Sequence, residues 1–338
     1  MKYAKGVSTP QNYLAAVLEN AGNDLKIIEK EIPSLNKGEV LIQLHAAPLN
    51  PSDLAMLDGV YPHKKTYPFV PGLEGSGTVV ASGGGFMANY MLGKRVACSA
   101  NDTGDGTWAQ YMKVKAGNCI PLNKDLNLDQ AASAIVNPLT AVALVEIVKA
   151  KKEIGFVNTA AAGALGKMLI KLAKQEGLTC INIVRRKEQV QELQKQGAAI
   201  VLNSSEEDFY SQLKETYKKT NVKVILDAIG GEISNTLLTP APEDATLICY
   251  ASLTREMMQI NPVPILRFGK TIEGFHLAYW TKRQSMVKLL RTVKKAQRLI
   301  ANDILSTPVQ KKVDLNEING AIKLYKENMT AGKVLIAF

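Results

Sequence analysis

Three short stretches of this chain combine residue types that can do chemistry. In "VNTAAAGALGKMLIKLAK", Ala160, Gly163 and Gly166 fall as A-x-x-G-x-x-G between a strand-like run and a helix-like one. Missing side chains at such a turn let a pyrophosphate approach backbone N–H groups at the positive end of a helix. One strand further on, "INIVRRKEQ" offers Arg185 and Arg186 and no acid until Glu188. An acid there would accept from a ribose 2′-hydroxyl, whereas a guanidinium suits a 2′-phosphate through paired hydrogen bonds. The third stretch, "DGVYP", presents Tyr61 between Gly59, which permits a strained backbone, and Pro62, which biases Tyr61 towards an extended conformation. A phenol presented in this way can be reactive, or it can be an aromatic plug in a turn.

The first two stretches together read as a dinucleotide site for NADPH, with Ala162, Gly163, Ala164, Leu165 and Gly166 in the loop and Arg185 and Arg186 beyond the next strand. Helix-to-sheet packing is the competing reading of the glycines, and a solvated basic turn that of the arginines. Asp227, ending "VKVILDAIGG", is either a further cofactor-side residue or a helix cap.

The elements that must position these residues change character midway. From residue 13 to about 125 the pattern is strand-like and punctuated by glycine, as in "EVLIQLHAAPL", "GSGTVVAS", "GKRVACSA" and "GTWAQYMKV". At Asn137-Pro138 a cap signal opens the helical run "LTAVALVEIVKA". Continuous apolar runs then alternate with amphipathic ones: "EIGFVNTA", "TCINIVR", "AIVLN", "VKVILDAIG", "ATLICYAS" and "KTIEGFHLAYW" are expected to be strands, with helices between them. That alternation predicts an α/β, doubly wound parallel sheet, because each crossover helix covers one face. A long basic helix, "TKRQSMVKLLRTVKKAQRLIAND", and a strand-like end, "GKVLIAF", complete the chain.

Composition narrows the class. The 338 residues are 46% hydrophobic and 21% charged, which suits two globular domains. Lys and Arg outnumber Asp and Glu by 41 to 31, yet the cations are scattered, so an anionic small molecule fits better than nucleic acid. Cys98, Cys119, Cys180 and Cys249 lie far apart with no C-x-x-C pair, which argues against a zinc ribbon and a disulfide framework and implies a reducing compartment. No apolar run approaches a membrane span. The first dozen residues read as an arm, and the expected location is the cytoplasm, with the mitochondrial matrix as the alternative.

Eight landmarks in order, "PLNPSDL", "GLEGSGTV", "GKRV", "GTWAQY", "NPLTA", the glycine loop, "LDAIGG" and "GKVLI", together resemble the medium-chain dehydrogenase/reductase superfamily over nearly the whole chain. The resemblance implies a GroES-like β-rich catalytic domain from residues 1–126 and 303–338, and a Rossmann domain over 127–302. Zinc-dependent members place a Cys and a His where this chain has Asn50 and Leu73, neither of which ligates zinc, so no metal is expected. The chain resembles the zinc-free branch of quinone oxidoreductases and mitochondrial-type 2-enoyl thioester reductases.

In the latter, an N-P-x-D element precedes a G-x-Y-P turn with a catalytic tyrosine, matched here by Asn50 to Asp53 and Gly59 to Pro62. The resemblance thus implies Tyr61 and Asn50 as catalytic residues, Tyr61 and Trp280 against substrate, and Thr140, Tyr250 and Phe275 on the cofactor side. His45 and His276 are expected in strands and His63 beside a lysine pair, none of them catalytic. Lys64, Lys65, Lys282 and Arg283 are candidates for meeting an anionic acyl carrier or coenzyme A. A homodimer paired through the last Rossmann strand is implied as well.

Three functions follow as expectations. One is NADPH-dependent reduction of an activated C=C bond in an enoyl thioester or α,β-unsaturated carbonyl, the second is quinone reduction, and the third is recruitment of the fold as a structural or assembly subunit.

Overall fold

The computed structural model describes residues 1–123 and 125–338. The chain divides into two compact units, Met1–Val136 with Gln297–Phe338, and Asn137–Ala296. Residues 127–136 and 297–302, expected with the dinucleotide-binding part, belong to the first unit.

The first unit is built on an eight-stranded sheet among the described residues. Its main path runs Val309–Asp314, Lys333–Ala337, Glu39–Pro48, Glu74–Ser82, Arg95–Ser99 and Cys119–Pro121. Lys2–Tyr3 pairs with Glu74–Ser82, and Tyr111–Lys115 with Glu39–Pro48. The Glu39–Pro48 strand therefore has three neighbours and is buried on both faces, which overrides its apolar-polar alternation and leaves Gln43 as its exposed residue. The C-terminal strand returns antiparallel to it, so the two ends of the sequence share one sheet.

Gly72 shows why a residue without a side chain precedes this core. Its φ is +96°, and a Cβ there would lie 2.4 Å from Thr107 Oγ1 and 2.7 Å from the buried Trp108 ring.

The second unit carries a six-stranded, all-parallel sheet in the order Ile200–Asn203, Thr179–Val184, Gly155–Asn158, Val224–Asp227, Thr246–Cys249, Thr271–Gly274. In sequence order this is 3-2-1-4-5-6, the dinucleotide-binding arrangement. The helix Ala164–Glu176 buries Met168, Leu169, Ile170, Leu172 and Ala173 and stops at Gly177, whose φ of +68° only glycine adopts freely.

Two local expectations fail. The helix begins at Val136, one residue before the Asn137 cap signal, because the Glu74 carboxylate accepts from the N–H groups of Ile135 and Val136 at 3.0 and 2.9 Å. The last strand ends at Gly274, and Leu277–Lys282 is a helix with His276 before it, so His276 and Trp280 do not lie in the sheet. The Thr271–Gly274 strand pairs only on its Thr246–Cys249 side among the described residues. With no second ladder to extend it, the chain is free to turn into a helix at Leu277.

Candidate active site and cofactor site

The candidate residues fall into two groups, one in each unit. In the first unit the helix Pro51–Leu57 opens with Pro51, and the Asp53 carboxylate reaches back to accept from Asn50 N at 2.8 Å. The other Asp53 oxygen accepts from Leu73 N at 3.0 Å. The side chain of Asn50 turns inward. Its Nδ2 donates to Glu74 Oε1 at 3.1 Å, and its Oδ1 accepts from the Lys333 ammonium, which also donates to Leu49 O at 3.4 Å. Both ends of the amide are fixed by partners that can act only as acceptor or only as donor, which defines its orientation.

Asn50, Asp53, Glu74 and Lys333 are all at most 2% exposed. Such a cluster holds together only because the charges are shared and hydrogen-bonded. Burial pushes the Glu74 carboxyl up, against the opposing pull of Lys333, the Ile135 and Val136 N–H groups and Asn50. Burial pushes the Lys333 ammonium down, against Glu74 and Asp53. Asp53 is raised to about 7, first by burial and then by the charge of Glu74. Lys333 is the partner that sequence reading did not single out. It lies 283 residues from Asn50, and the one signal for it was its place in "GKVLI".

Tyr61 follows this helix directly. Its N–H, like that of Val60, bonds to Ala55 O, at 3.1 and 3.0 Å, and Lys64 N bonds to Asp102 O at 3.2 Å, so the turn is held at both ends. Tyr61 is partly buried and packs against the core. Burial first, then the charges of Asp53 and Asp102, raises its phenol above the ordinary tyrosine value, which keeps it protonated and able to donate.

Lys65 is not available to a carrier. It is 8% exposed, its ammonium donates to Gly104 O, and burial lowers it to about 8. Lys64 is exposed, and Arg283 lies 4.4 Å over the Tyr279 ring. His45 bonds to Asp129 at 2.8 Å, and His63 stacks edge-on against Phe69.

In the second unit the parallel sheet brings the cofactor-side candidates other than Thr140 to one rim, since each of them follows the carboxyl end of a strand. The loop from Thr159 to Gly163 follows Gly155–Asn158 and leads into the helix at Ala164, with Ala162 buried and Gly163, Ala164 and Leu165 partly exposed. A Cβ on Gly166 would lie 2.5 Å from Ala161 O and 2.7 Å from Ala160 O, so its glycine is needed for helix and loop to meet. Ala160 takes a positive φ of 48°.

Arg185 and Arg186 follow the neighbouring strand, both exposed. Tyr250 and Phe275 directly follow the strands Thr246–Cys249 and Thr271–Gly274, and Phe275 packs against Trp280 with centroids 6.4 Å apart. Thr140 is buried on the helix Val136–Ala150. Asp227 is wholly buried and accepts from the Thr159 hydroxyl at 2.9 Å, the Ser234 hydroxyl at 2.6 Å and the N–H groups of Ile229 and Gly230, which pins the loop. It does not cap the following helix, whose N-cap is Gly231.

A dinucleotide fits this rim: a loop with partly exposed Gly163 leading into the helix N-terminus at Ala164, with two exposed guanidiniums one strand away. Zinc does not fit the first unit. The two positions that would have to supply ligands are an amide already bonded to an ammonium and a leucine, and no group of three or more His, Cys, Asp or Glu among the described residues could hold a metal ion.

Comparison with known proteins agrees with this architecture. Residues 36–124 match the family model of the alcohol dehydrogenase GroES-like domain, and residues 164–295 match that of the zinc-binding dehydrogenases. An enoyl-[acyl-carrier-protein] reductase from Caenorhabditis elegans, described as mitochondrial, is 29% identical over 247 residues, 72% of this chain and 70% of its own. One of the same description from Schizosaccharomyces pombe is 26% identical over 314 residues, 87% of this chain and 83% of its own. A solved structure from Mesorhizobium loti, assigned provisionally as an NADPH:quinone reductase, is 33% identical with a TM-score of 0.91, covering 98% of this chain and 100% of its own. With both halves matched and a solved relative this similar across nearly the full length, the chain belongs to the medium-chain dehydrogenase/reductase superfamily and is an oxidoreductase built to use a nicotinamide cofactor.

Proposed function

We propose that the chain uses NADPH to reduce an activated carbon–carbon double bond, with an enoyl thioester or another α,β-unsaturated carbonyl as acceptor. The observation that carries the reading is Tyr61, a phenol kept protonated by burial and by Asp53 and Asp102, on a turn anchored to the helix after Asn50. A bound dinucleotide would supply hydride to the β-carbon. Charge then builds on the carbonyl oxygen, and a phenol within reach stabilises it by donating a hydrogen bond or stands on the proton path to the α-carbon. Asn50 has no free polar end, so its part is to position the start of the Pro51–Leu57 helix, and with it the Tyr61 turn, by tying Glu74 to Lys333. Trp280 and Phe275 offer an aromatic wall in the second unit for the apolar part of a substrate or for the nicotinamide. Exposed Arg185 and Arg186 support the choice of NADPH over NADH.

The names of the two curated relatives support the thioester, and their mitochondrial description supports the matrix as the alternative to the cytoplasm. The Mesorhizobium loti structure supports a second reading, in which a quinone is the acceptor and Tyr61 covers the site without reacting. NADPH oxidation measured side by side with crotonyl thioester and a simple quinone separates the two. Thioester turnover that falls about 100-fold or more in Tyr61→Phe fits the first reading. Quinone turnover indifferent to the substitution sinks it.

A homodimer belongs to the same proposal. All four residues of the edge strand Thr271–Gly274 are exposed, and Ile272 and Leu266 beside it are 40% and 82% exposed, so a two-fold copy of this edge would continue the sheet. A single monomeric species in sedimentation at micromolar concentration would remove it.

A further inference from the structure

Cys98 and Cys119 are twenty-one positions apart in the sequence, yet they are direct partners across the antiparallel pair Arg95–Ser99 and Cys119–Pro121. The kind of pairing follows from the ladder. Leu122 N donates to Arg95 O at 3.0 Å, which makes Arg95 and Leu122 a hydrogen-bonded pair, and alternation then makes Ala97 with Ile120 the next one. Val96 with Pro121 and Cys98 with Cys119 are the non-hydrogen-bonded pairs between them. Two independent features agree. Pro121 has no N–H to give, and the Cys119 N–H is spent on Ala116 O.

Partners at a non-hydrogen-bonded position have Cα atoms about 4.5 Å apart with side chains on the same face, and disulfides accept Cα separations of roughly 4.4–6.8 Å. Both thiols are free and lie in one apolar cluster, with the two residues 0% and 5% exposed. The sheet thus holds two thiols in a bridging register.

We infer that Cys98 and Cys119 form a latent cross-strand dithiol–disulfide pair, which a small-molecule disulfide such as glutathione disulfide oxidises to clamp the edge of the first unit's sheet. Burial holds both thiols protonated, Cys119 up to about 12, so exchange starts when the edge opens. Cys119–Pro121 is a three-residue strand at the end of the sheet path, the kind of element that opens locally before the core does. The Cys119 thiolate then attacks one sulfur of glutathione disulfide, expelling one glutathione thiolate. On reclosure the Cys98 thiolate attacks the Cys119 sulfur of the mixed disulfide and expels the second. Two protein thiols lose two electrons and two protons in total, and the disulfide reagent takes both up as two glutathione thiols.

The site adjoins the candidate catalytic cluster in the sheet. Cys98 is paired with Gly75 and donates to its carbonyl at 3.4 Å, and the neighbouring partners in that ladder are Ser99 and Glu74.

The test treats the full-length reduced protein with glutathione disulfide, with and without urea below the unfolding transition, followed by alkylation and peptide mass analysis under non-reducing conditions. A linked peptide joining Cys98 to Cys119, about 2 Da lighter than the two free thiols and lost on adding dithiothreitol, is expected. It should form faster in urea and melt at a higher temperature than the reduced protein. Cys98→Ala should lack it and keep glutathione on Cys119, and Cys119→Ala supplies a second variant if the first folds poorly. Partly exposed Cys180 and Cys249 report that the oxidant has reacted. Their full modification without a Cys98–Cys119 link, or a link through either of them instead, overturns the inference. The readout is mass, so it stands apart from turnover of any substrate.

Discussion

The Asn50 amide nitrogen donates to Glu74 Oε1 at 3.1 Å inside a core from which water is excluded, while its oxygen takes the Lys333 ammonium. One neutral side chain thus joins a buried cation to a buried anion. Asn50→Leu keeps the branched shape and removes both bonds, leaving two charges without their shared partner. Stability should fall by about 3 kcal/mol, and Lys333→Met should cost at least as much because it strands Glu74 and Asp53 together. Urea unfolding at pH 7 measures both, and losses below about 1 kcal/mol would mean that the cluster is not held by these bonds.

Asp53 gives the fold a pH dependence of unusual sign. Its carboxyl is near 3.8 when unfolded and raised to about 7 when folded, by burial and then by Glu74. Between those values the folded state binds the extra proton, so its contribution is complete below the unfolded value and is lost as pH rises to about 7. The slope from this one group is at most about 1.4 kcal/mol per pH unit. Asp53→Asn puts a side chain that does not titrate at the same place, so its stability should change less between pH 5 and 7. Parallel stability curves for the two proteins would show that Asp53 does not titrate in this range.

Gly163 and Gly166 should respond differently to the same methyl group. At Gly166 an alanine Cβ meets backbone atoms at 2.5 to 2.7 Å, which only movement of the loop relieves. At Gly163 the nearest atom is Ala160 O at 3.2 Å, and the backbone φ is −73°. Gly166→Ala should weaken NADPH binding at least tenfold and lower the melting temperature, whereas Gly163→Ala should shift either only slightly. Fluorescence titration of NADPH beside a thermal melt checks both.

If NADPH is the cofactor, as proposed, Arg185 and Arg186 are the residues expected to meet its 2′-phosphate. A charge-assisted hydrogen bond to a 2′-phosphate contributes about 1.5–3 kcal/mol, so Arg185→Ala together with Arg186→Ala should raise the NADPH Kd more than tenfold and leave the NADH Kd nearly unchanged. Equal loss for both dinucleotides would return the arginines to a solvated turn.

The alternation of apolar runs with amphipathic ones, the A-x-x-G-x-x-G spacing and the paired arginines were legible because each is a local pattern. A period of two or 3.6 residues, or a glycine at a tight turn, is written in a few neighbouring positions. That is why the α/β architecture could be read from the chain by itself, and why the cofactor-side residues could be put forward as candidates. The break after Gly274 was not legible, because "TIEGFHLAYW" carries enough β-formers to suit a longer strand, and only the missing ladder partner ended it.

Tertiary structure alone decided the parts played by Asn50, Lys65, Lys333 and the two opposed cysteines. The Asn50 amide bridges Glu74 and a lysine almost three hundred residues away, a pairing that no local pattern around Asn50 announces. Lys65 had the composition of a surface cation and is buried against Gly104 O. Cys98 and Cys119 share no motif and meet because the strands Arg95–Ser99 and Cys119–Pro121 pair in one register. Burial of one face fixes that register, and a slip of one residue would turn every side chain of a strand to the other face. Local periodicity thus set which elements form, while long-range register set which charges and thiols meet.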